Sequence, residues 1–167
     1  VDGGKCVDTS MGLTPLAGVL MGTRCGDVDP SVVTYMEQKL GFHGQEMADY
    51  LNKQSGLLGV SGVSSDMRDV TNAAKAGNER AKLATDMLKY QIKKYIGSYA
   101  AAMGGLDCVV FTGGIGENDH EVRADVCEGL EFLGIQLDAQ KNLQRGADIL
   151  DLSAEGSRVK VLMVCTN

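Results

Sequence analysis

Leu106-Asp107-Cys108-Val109-Val110-Phe111-Thr112-Gly113-Gly114-Ile115-Gly116-Glu117-Asn118 is the stretch on which the fold class turns. A short apolar run meets a glycine-rich turn, and a helical pattern begins near Asp119 and runs toward Leu133. Strand, glycine turn and helix in that order mark a parallel α/β unit. Downstream, the sequence predicts a short strand near Ile135–Leu137, a helix over Ala139–Arg145 and a closing apolar strand from Val159 to Asn167. Upstream, Ala81, Ala84, Leu88, Ile92, Tyr95, Ile96 and Tyr99 recur near helical spacing and predict a long helix from about Asn78 to Met103, ended by Gly104-Gly105.

Further toward the N-terminus the signals are turns and caps. Val1-Asp2-Gly3-Gly4-Lys5 reads as a hairpin turn, and Lys5 to Ser10 as a short strand leaving it. Met11 to Pro30 is glycine-rich without a steady period, an ordered loop with room for one short helix. Asp29-Pro30 places a capping carboxylate and a first-turn proline ahead of a helix to about Leu40, with Gly41 as its stop. A second helix is expected from about Gly44 to Gln54. Gly56 to Val63 is a small apolar stretch, and Ser64-Ser65-Asp66-Met67-Arg68-Asp69 a polar loop or a single capped turn. No repeat or linker divides the 167 residues, which are read as one domain.

The formal net charge of −6 argues against a nucleic-acid partner, which needs clustered Lys and Arg. It leaves a nucleotide open, because a few N–H groups and one or two cations can hold phosphates. No apolar run approaches the roughly 20 residues that span a bilayer, and no basic-then-apolar leader opens the chain. Cys6, Cys25, Cys108, Cys127 and Cys165 are scattered and form no C-x-x-C, a pattern of reduced thiols in a cytosolic protein. His43 and His120 are far apart and read as structural or exposed rather than as metal ligands. The opening hairpin without its first strand and the closing strand without a following loop give the chain the look of a segment.

Three places could carry chemistry. In Gly113 to Asn118, glycines let backbone approach a phosphate, and the helix that follows offers unpaired N–H groups. The pattern is neither a Walker loop nor a complete G-x-G-x-x-G, and it equally describes a tight βα connection capped by Asn118 with Glu121 at capping-box spacing. Arg24, between Gly22-Thr23 and Cys25-Gly26, could match two oxygens of a phosphoryl group; read alone, it fits more readily an ion pair with Asp27 or Asp29. Asp66 and Arg68 could hold a ribose and lie flat on a purine; read alone, they fit a capped, solvated turn better. Tyr90, Tyr95 and Tyr99 read as packing, and Lys89, Lys93 and Lys94 as a solvated face.

Asp8-Thr9-Ser10-Met11-Gly12-Leu13-Thr14-Pro15-Leu16, Met21-Gly22-Thr23-Arg24-Cys25-Gly26-Asp27, Ser55 to Gly62, Ser64 to Asp69, and Val110 to Asn118 together resemble the acetate kinase family over essentially the whole chain. The resemblance implies an α/β lobe of the actin, hexokinase and Hsp70 type (ribonuclease H-like), truncated at its N-terminal strands. Residues 1–167 would be most of the C-terminal nucleotide-binding lobe of a two-lobed kinase. The implied reaction is reversible phosphoryl transfer between ATP and acetate, giving acetyl phosphate and ADP, with Mg2+. The resemblance places Arg24 against the transferring phosphoryl group as a transition-state stabiliser. It places Asp66, Met67 and Arg68 around the adenosine, and Gly114, Ile115, Gly116, Glu117 and Asn118 along the nucleotide. On it the three ambiguous loops converge on one ligand.

The family's His-Leu-Gly-Asn-Gly phosphate loop, its acetate pocket, a second arginine, a histidine and the metal-binding carboxylates are not matched in this sequence. The segment by itself is therefore expected to be inactive, and its parent enzyme a cytoplasmic homodimer. A propionate or butyrate kinase shares most of these motifs and stays open. A non-catalytic nucleotide-binding or interaction domain is the alternative from another class, and the missing third glycine weighs against a Rossmann-type dehydrogenase.

Overall fold

The computed structural model describes residues 1–166. The chain forms two compact units, Val1–Gln91 and the part from Ile92 onward.

In the first unit, Asp2 and Lys5 pair across the Gly3-Gly4 turn. The strand expected from Lys5 to Ser10 goes no further than that bridge: among the described residues nothing pairs with it, and a lone extended segment has no ladder. Residues 11–29 are an irregular loop without the optional short helix. Helix α1, Pro30–Leu40, starts and stops as its sequence demands: Asp29 accepts a hydrogen bond from Ser31 N, and Gly41 adopts a left-handed φ of 70°. Helix α2 is Gln45–Lys53. Two further helices form, one within the small apolar stretch and one running on from the stretch expected as a polar loop or a single capped turn. Helix α3, Gly56–Ser61, buries Leu57 completely, and α4, Met67–Lys75, buries Met67 and Val70. Each is too short for its apolar face to show a period, so tertiary burial makes the helix rather than propensity. Helix α5, Glu79–Met103, supplies residues to both units. Ala81, Ala84 and Leu88 on its predicted stripe are buried, while Ile92, Tyr95, Ile96 and Tyr99 are half-buried.

The second unit holds a three-stranded sheet in the order β1-β3-β2. β1, Cys108–Phe111, and β3, Lys160–Val164, are parallel, with Cys108 opposite Lys160 and Phe111 opposite Met163. This is the parallel unit predicted from the glycine turn. β2, Ile149–Asp151, was not foreseen; it pairs antiparallel with β3, Leu150 opposite Met163. Asn167, at the end of the expected closing strand, lies outside the described residues. The glycine turn is itself helical, α6 over Gly113–Asn118, and α7 is His120–Cys127. The helix expected to reach Leu133 stops at Cys127, where Glu128 and Gly129 break it, and a 3-10 turn covers Glu131–Leu133. The strand expected at Ile135–Leu137 is two isolated bridges, Ile135 to Val159 and Leu137 to Ser153. The helix expected over Ala139–Arg145 shrinks to a 3-10 turn, Lys141–Leu143. Phe111, Val122, Val126, Cys127, Leu130, Ile135, Leu152, Val159, Val161 and Met163 form the core.

Candidate nucleotide site

In the first unit, the Arg24 loop is built on the start of α3. Met21 O and Gly22 O accept hydrogen bonds from Leu57 N (2.8 Å) and Leu58 N (2.9 Å), and Thr23 O accepts from Ser55 N (2.9 Å). These are the unpaired first-turn donors that every helix presents. Cys25 N donates to Leu51 O, and the Thr23 hydroxyl to Asn52 O at 2.8 Å. The backbone on both sides of Arg24 is thereby fixed, while the residue is half-buried and its guanidinium makes no hydrogen bond or ion pair with the described residues. The alternative of a salt bridge to Asp27 or Asp29 does not hold. Asp27 accepts from Gly18 N at 2.8 Å, and Asp29 is committed to capping α1.

The same loop touches the second candidate stretch. A Cβ on Gly22 would lie 2.8 Å from Ser65 O, so the Arg24 loop and the residues before Asp66 are packed backbone to backbone. Asp66 is the N-cap of α4, accepting from Arg68 N at 2.9 Å. It also takes the Arg68 guanidinium edge-on, Nε at 3.0 and 3.2 Å and Nη2 at 2.5 Å. These bonds, the Arg68 side chain first and its backbone N–H next, hold the Asp66 carboxyl down to about 2. Ser64 Oγ supports the turn by accepting from Asp66 N at 3.0 Å and donating to Asp69 at 2.9 Å. Met67 is only 6% exposed, its side chain taken into the core, whereas the Arg68 side chain is 87% exposed.

In the second unit, Gly114, Ile115, Gly116, Glu117 and Asn118 all lie in α6. Thr112 precedes it without a side-chain cap. Asn118 does not cap the next helix, as its spacing with Glu121 suggested; its side chain turns back to donate to Gly114 O at 3.0 Å. Asp119 caps α7 instead, accepting from Val122 N at 3.0 Å. The Glu117 carboxylate accepts from Thr166 Oγ1 at 2.6 Å and Thr166 N at 2.8 Å, tying α6 to the residues after β3. These bonds, with a contribution from Gly113 N–H, hold its carboxyl below the ordinary glutamate value. Among the described residues, no group of three or more His, Cys, Asp and Glu side chains is placed to hold a metal ion, and no helix is long and apolar enough to cross a membrane.

Two buried polar residues at this site escaped the sequence reading. Arg123 and Asn142 are 2% and 3% exposed and hydrogen-bonded to each other under α6. A signal existed for the first: Arg123, Cys127 and Leu130 fall at i, i+4 and i+7, so the arginine stands in an apolar stripe.

Comparison with known proteins gives consistent answers. The sequence profile of the acetokinase family matches residues 1–167. The chain is 55% identical over 167 residues to the acetate kinase of Treponema denticola, covering 100% of this chain and 42% of that protein. Among solved structures, it is similar to the acetate kinase of Porphyromonas gingivalis, with a TM-score of 0.94 and 49% identity over 98% of this chain and 41% of that one. It is also similar to a propionate kinase from Francisella tularensis, with a TM-score of 0.87 and 42% identity over 96% of this chain and 41% of that one. The chain thus spans about two fifths of the length of these relatives. Its mixed α/β architecture is of the actin and hexokinase type.

Proposed function

The chain belongs to the acetokinase family, and from that premise we propose that it is most of the C-terminal, nucleotide-binding lobe of an acetate kinase. An acetate oxygen attacks the γ-phosphorus of ATP, the bond from that phosphorus to the β,γ-bridging oxygen breaks, and ADP leaves with acetyl phosphate as the other product. Mg2+ enters with the nucleotide as part of the substrate, and its protein ligands lie outside this chain.

The observation that carries the reading is Arg24. The cation of a half-buried residue, on a loop pinned by α3 and with no ion-pair partner among the described residues, suits an anion supplied from outside. Phosphoryl transfer is mostly positioning and charge stabilisation, and a planar guanidinium can meet two equatorial oxygens at once. The Asp66 carboxylate is occupied by the α4 cap and by Arg68, so its part is to hold the Arg68 plane in place, and Arg68 lies against the purine. Met67 contributes through the core beneath, and Gly114, Ile115, Gly116, Glu117 and Asn118 run along the nucleotide. The parent enzyme is a cytoplasmic homodimer, and the segment alone does not turn over, because acceptor pocket and opposing cation belong to the other lobe.

Acetate is taken over propionate as acceptor because the Treponema denticola and Porphyromonas gingivalis acetate kinases, at 55% and 49% identity, stand above the propionate kinase at 42%, although an acetate kinase from Entamoeba histolytica stands beside it at 41%. The test is to exchange the matching stretch of the Treponema denticola enzyme for this chain and assay acyl phosphate formation with acetate, propionate and butyrate. Turnover highest with acetate, falling about 10^3-fold in Arg24→Ala, is expected. A hybrid in which Arg24→Ala works as well as the unaltered segment would sink the assignment of Arg24.

A further inference from the structure

Helix α6 has only six residues, Gly113–Asn118, too few to satisfy its own last carbonyls. They are satisfied from outside. Arg123 Nη1 donates to Gly116 O and to Glu117 O, each at 2.8 Å. The rest of the guanidinium is spent on one residue: Nε donates to Asn142 Oδ1 at 2.7 Å and Nη2 to Asn142 O at 2.8 Å. Asn142 Nδ2 donates in turn to His120 O at 2.8 Å, across the junction between α6 and α7.

The base of this lock is firm. Asp138 accepts from Gln140 N at 2.8 Å and Lys141 N at 2.9 Å, and its carbonyl accepts from Asn142 N at 2.9 Å. Lys141 Nζ reaches Ser153 O at 2.7 Å. An unbroken run of hydrogen bonds therefore leads from the backbone beyond β2 to the C-terminal end of α6.

The chemistry of the lock is unusual for a device that only stabilises. Arg123 is 2% exposed and its side chain donates to neutral amide and carbonyl oxygens; the Asp119 carboxylate favours its charge only through space, and burying a charge among neutral partners is costly. An apolar side chain in this stripe would fill the core without that cost, but it would leave two carbonyls of α6 without a donor. The arginine is what a short helix needs if its position, rather than its stability, matters. The negative end of α6 also favours the cation.

We propose that Arg123, held by Asn142, is a positioning residue for the nucleotide loop: it fixes α6 so that Gly114–Asn118 meet the nucleotide in one geometry. This rests on the reading of those residues as lying along the nucleotide. Arg123 touches no substrate and acts through the carbonyls of Gly116 and Glu117.

The test uses the 167-residue chain with ADP as the probe. Arg123→Ala leaves buried acceptors and is prone not to fold, so the decisive variant is Asn142→Ala, which keeps the arginine and frees its Nε end. Two quantities are read: amide hydrogen exchange at Asp119, whose N–H donates to Ile115 O at 2.9 Å, and the Kd for ADP by titration calorimetry up to millimolar concentration. Asn142→Ala is expected to speed that exchange at least about 10-fold and to weaken ADP binding about 3- to 10-fold, a loosened hydrogen-bonded anchor being worth that order. Asn142→Asp returns an acceptor to Nε but no donor to His120 O, and is expected to restore both in part, which a general loss of packing would not allow. Unchanged exchange in Asn142→Ala overturns the lock. Faster exchange with unchanged ADP affinity overturns its positioning role alone. An unaltered chain that gains no protection at residues 114–118 from ADP overturns the nucleotide reading beneath it.

Discussion

Substituting Gly56 by alanine tests how the Arg24 loop is held. Gly56 has a φ of +62°, and a Cβ there would lie 2.1 Å from Met21 O and 2.7 Å from Arg24 O. An L-residue in the left-handed region costs roughly 1–2 kcal/mol. The clash comes on top, because both obstacles are backbone and cannot swing aside. The loop must retreat, which breaks the bonds from Leu57 N to Met21 O and from Leu58 N to Gly22 O, each worth about 0.5–1.5 kcal/mol. The expected loss is thus about 2–5 kcal/mol. Gly41→Ala is the internal reference: Gly41 has a similar φ of +70° with nothing within 4 Å of its Cβ, so only the backbone cost of roughly 1–2 kcal/mol applies. Urea unfolding of both variants, with slopes compared to exclude a changed denatured state, isolates the clash. Gly56→Ala should lie about 2 kcal/mol below Gly41→Ala, or roughly 4–8 °C in Tm for a chain of this length. Equal losses in the two variants would refute the idea that Arg24 is aimed by a backbone seated directly on Gly56.

Arg24→Ala should leave the unfolding free energy of the 167-residue chain, from urea titration, within about 0.5 kcal/mol of the unaltered one, because its side chain has no partner among the described residues; a larger loss would mean that the arginine is structural. Asp66→Asn tests the electrostatics at α4. The Asp66 carboxyl is depressed to about 2 from an ordinary 3.8, so its contribution to stability is complete above about pH 4 and is lost as the pH falls toward 2. Asparagine still caps the helix but does not titrate, so the variant should show a shallower fall of stability between pH 4 and 2; identical pH profiles would exclude the Asp66–Arg68 pair as a source of acid sensitivity. Cys127 is 3% exposed, and burial pushes its thiol up to about 11. Under iodoacetamide at pH 8 it should be the last cysteine modified, after exposed Cys6, Cys108 and Cys165, with peptide mass spectrometry as the readout. Early labelling of Cys127 would show that the α7 face opens.

Local chemistry was legible where a residue acts on its immediate neighbours. Asp29-Pro30 and Gly41 bound α1 because a cap carboxylate, a proline ring and a left-handed glycine need nothing distant. The apolar run before Gly113 became β1, and the length of the pattern from Asn78 onward delivered α5. The errors fell on short segments. Six residues at α3 and nine at α4 hold too few turns to display a period, and β2 and the bridges at Ile135 and Leu137 exist only through their partners.

By itself, the sequence determined the parallel α/β unit, the family and the three stretches on which a nucleotide reading rests, since those signals lie in contiguous residues. The tertiary structure alone decided that Arg24 has no ion-pair partner among the described residues, that Asp66 is bound to Arg68, and that Arg123 and Asn142 lie buried beneath α6. Each of these is a contest among polar groups for partners, and between Arg123 and Asn142 the winner is 19 residues away along the chain. Spacing records which groups are available; only the folded backbone brings a donor within 3 Å of one acceptor rather than another.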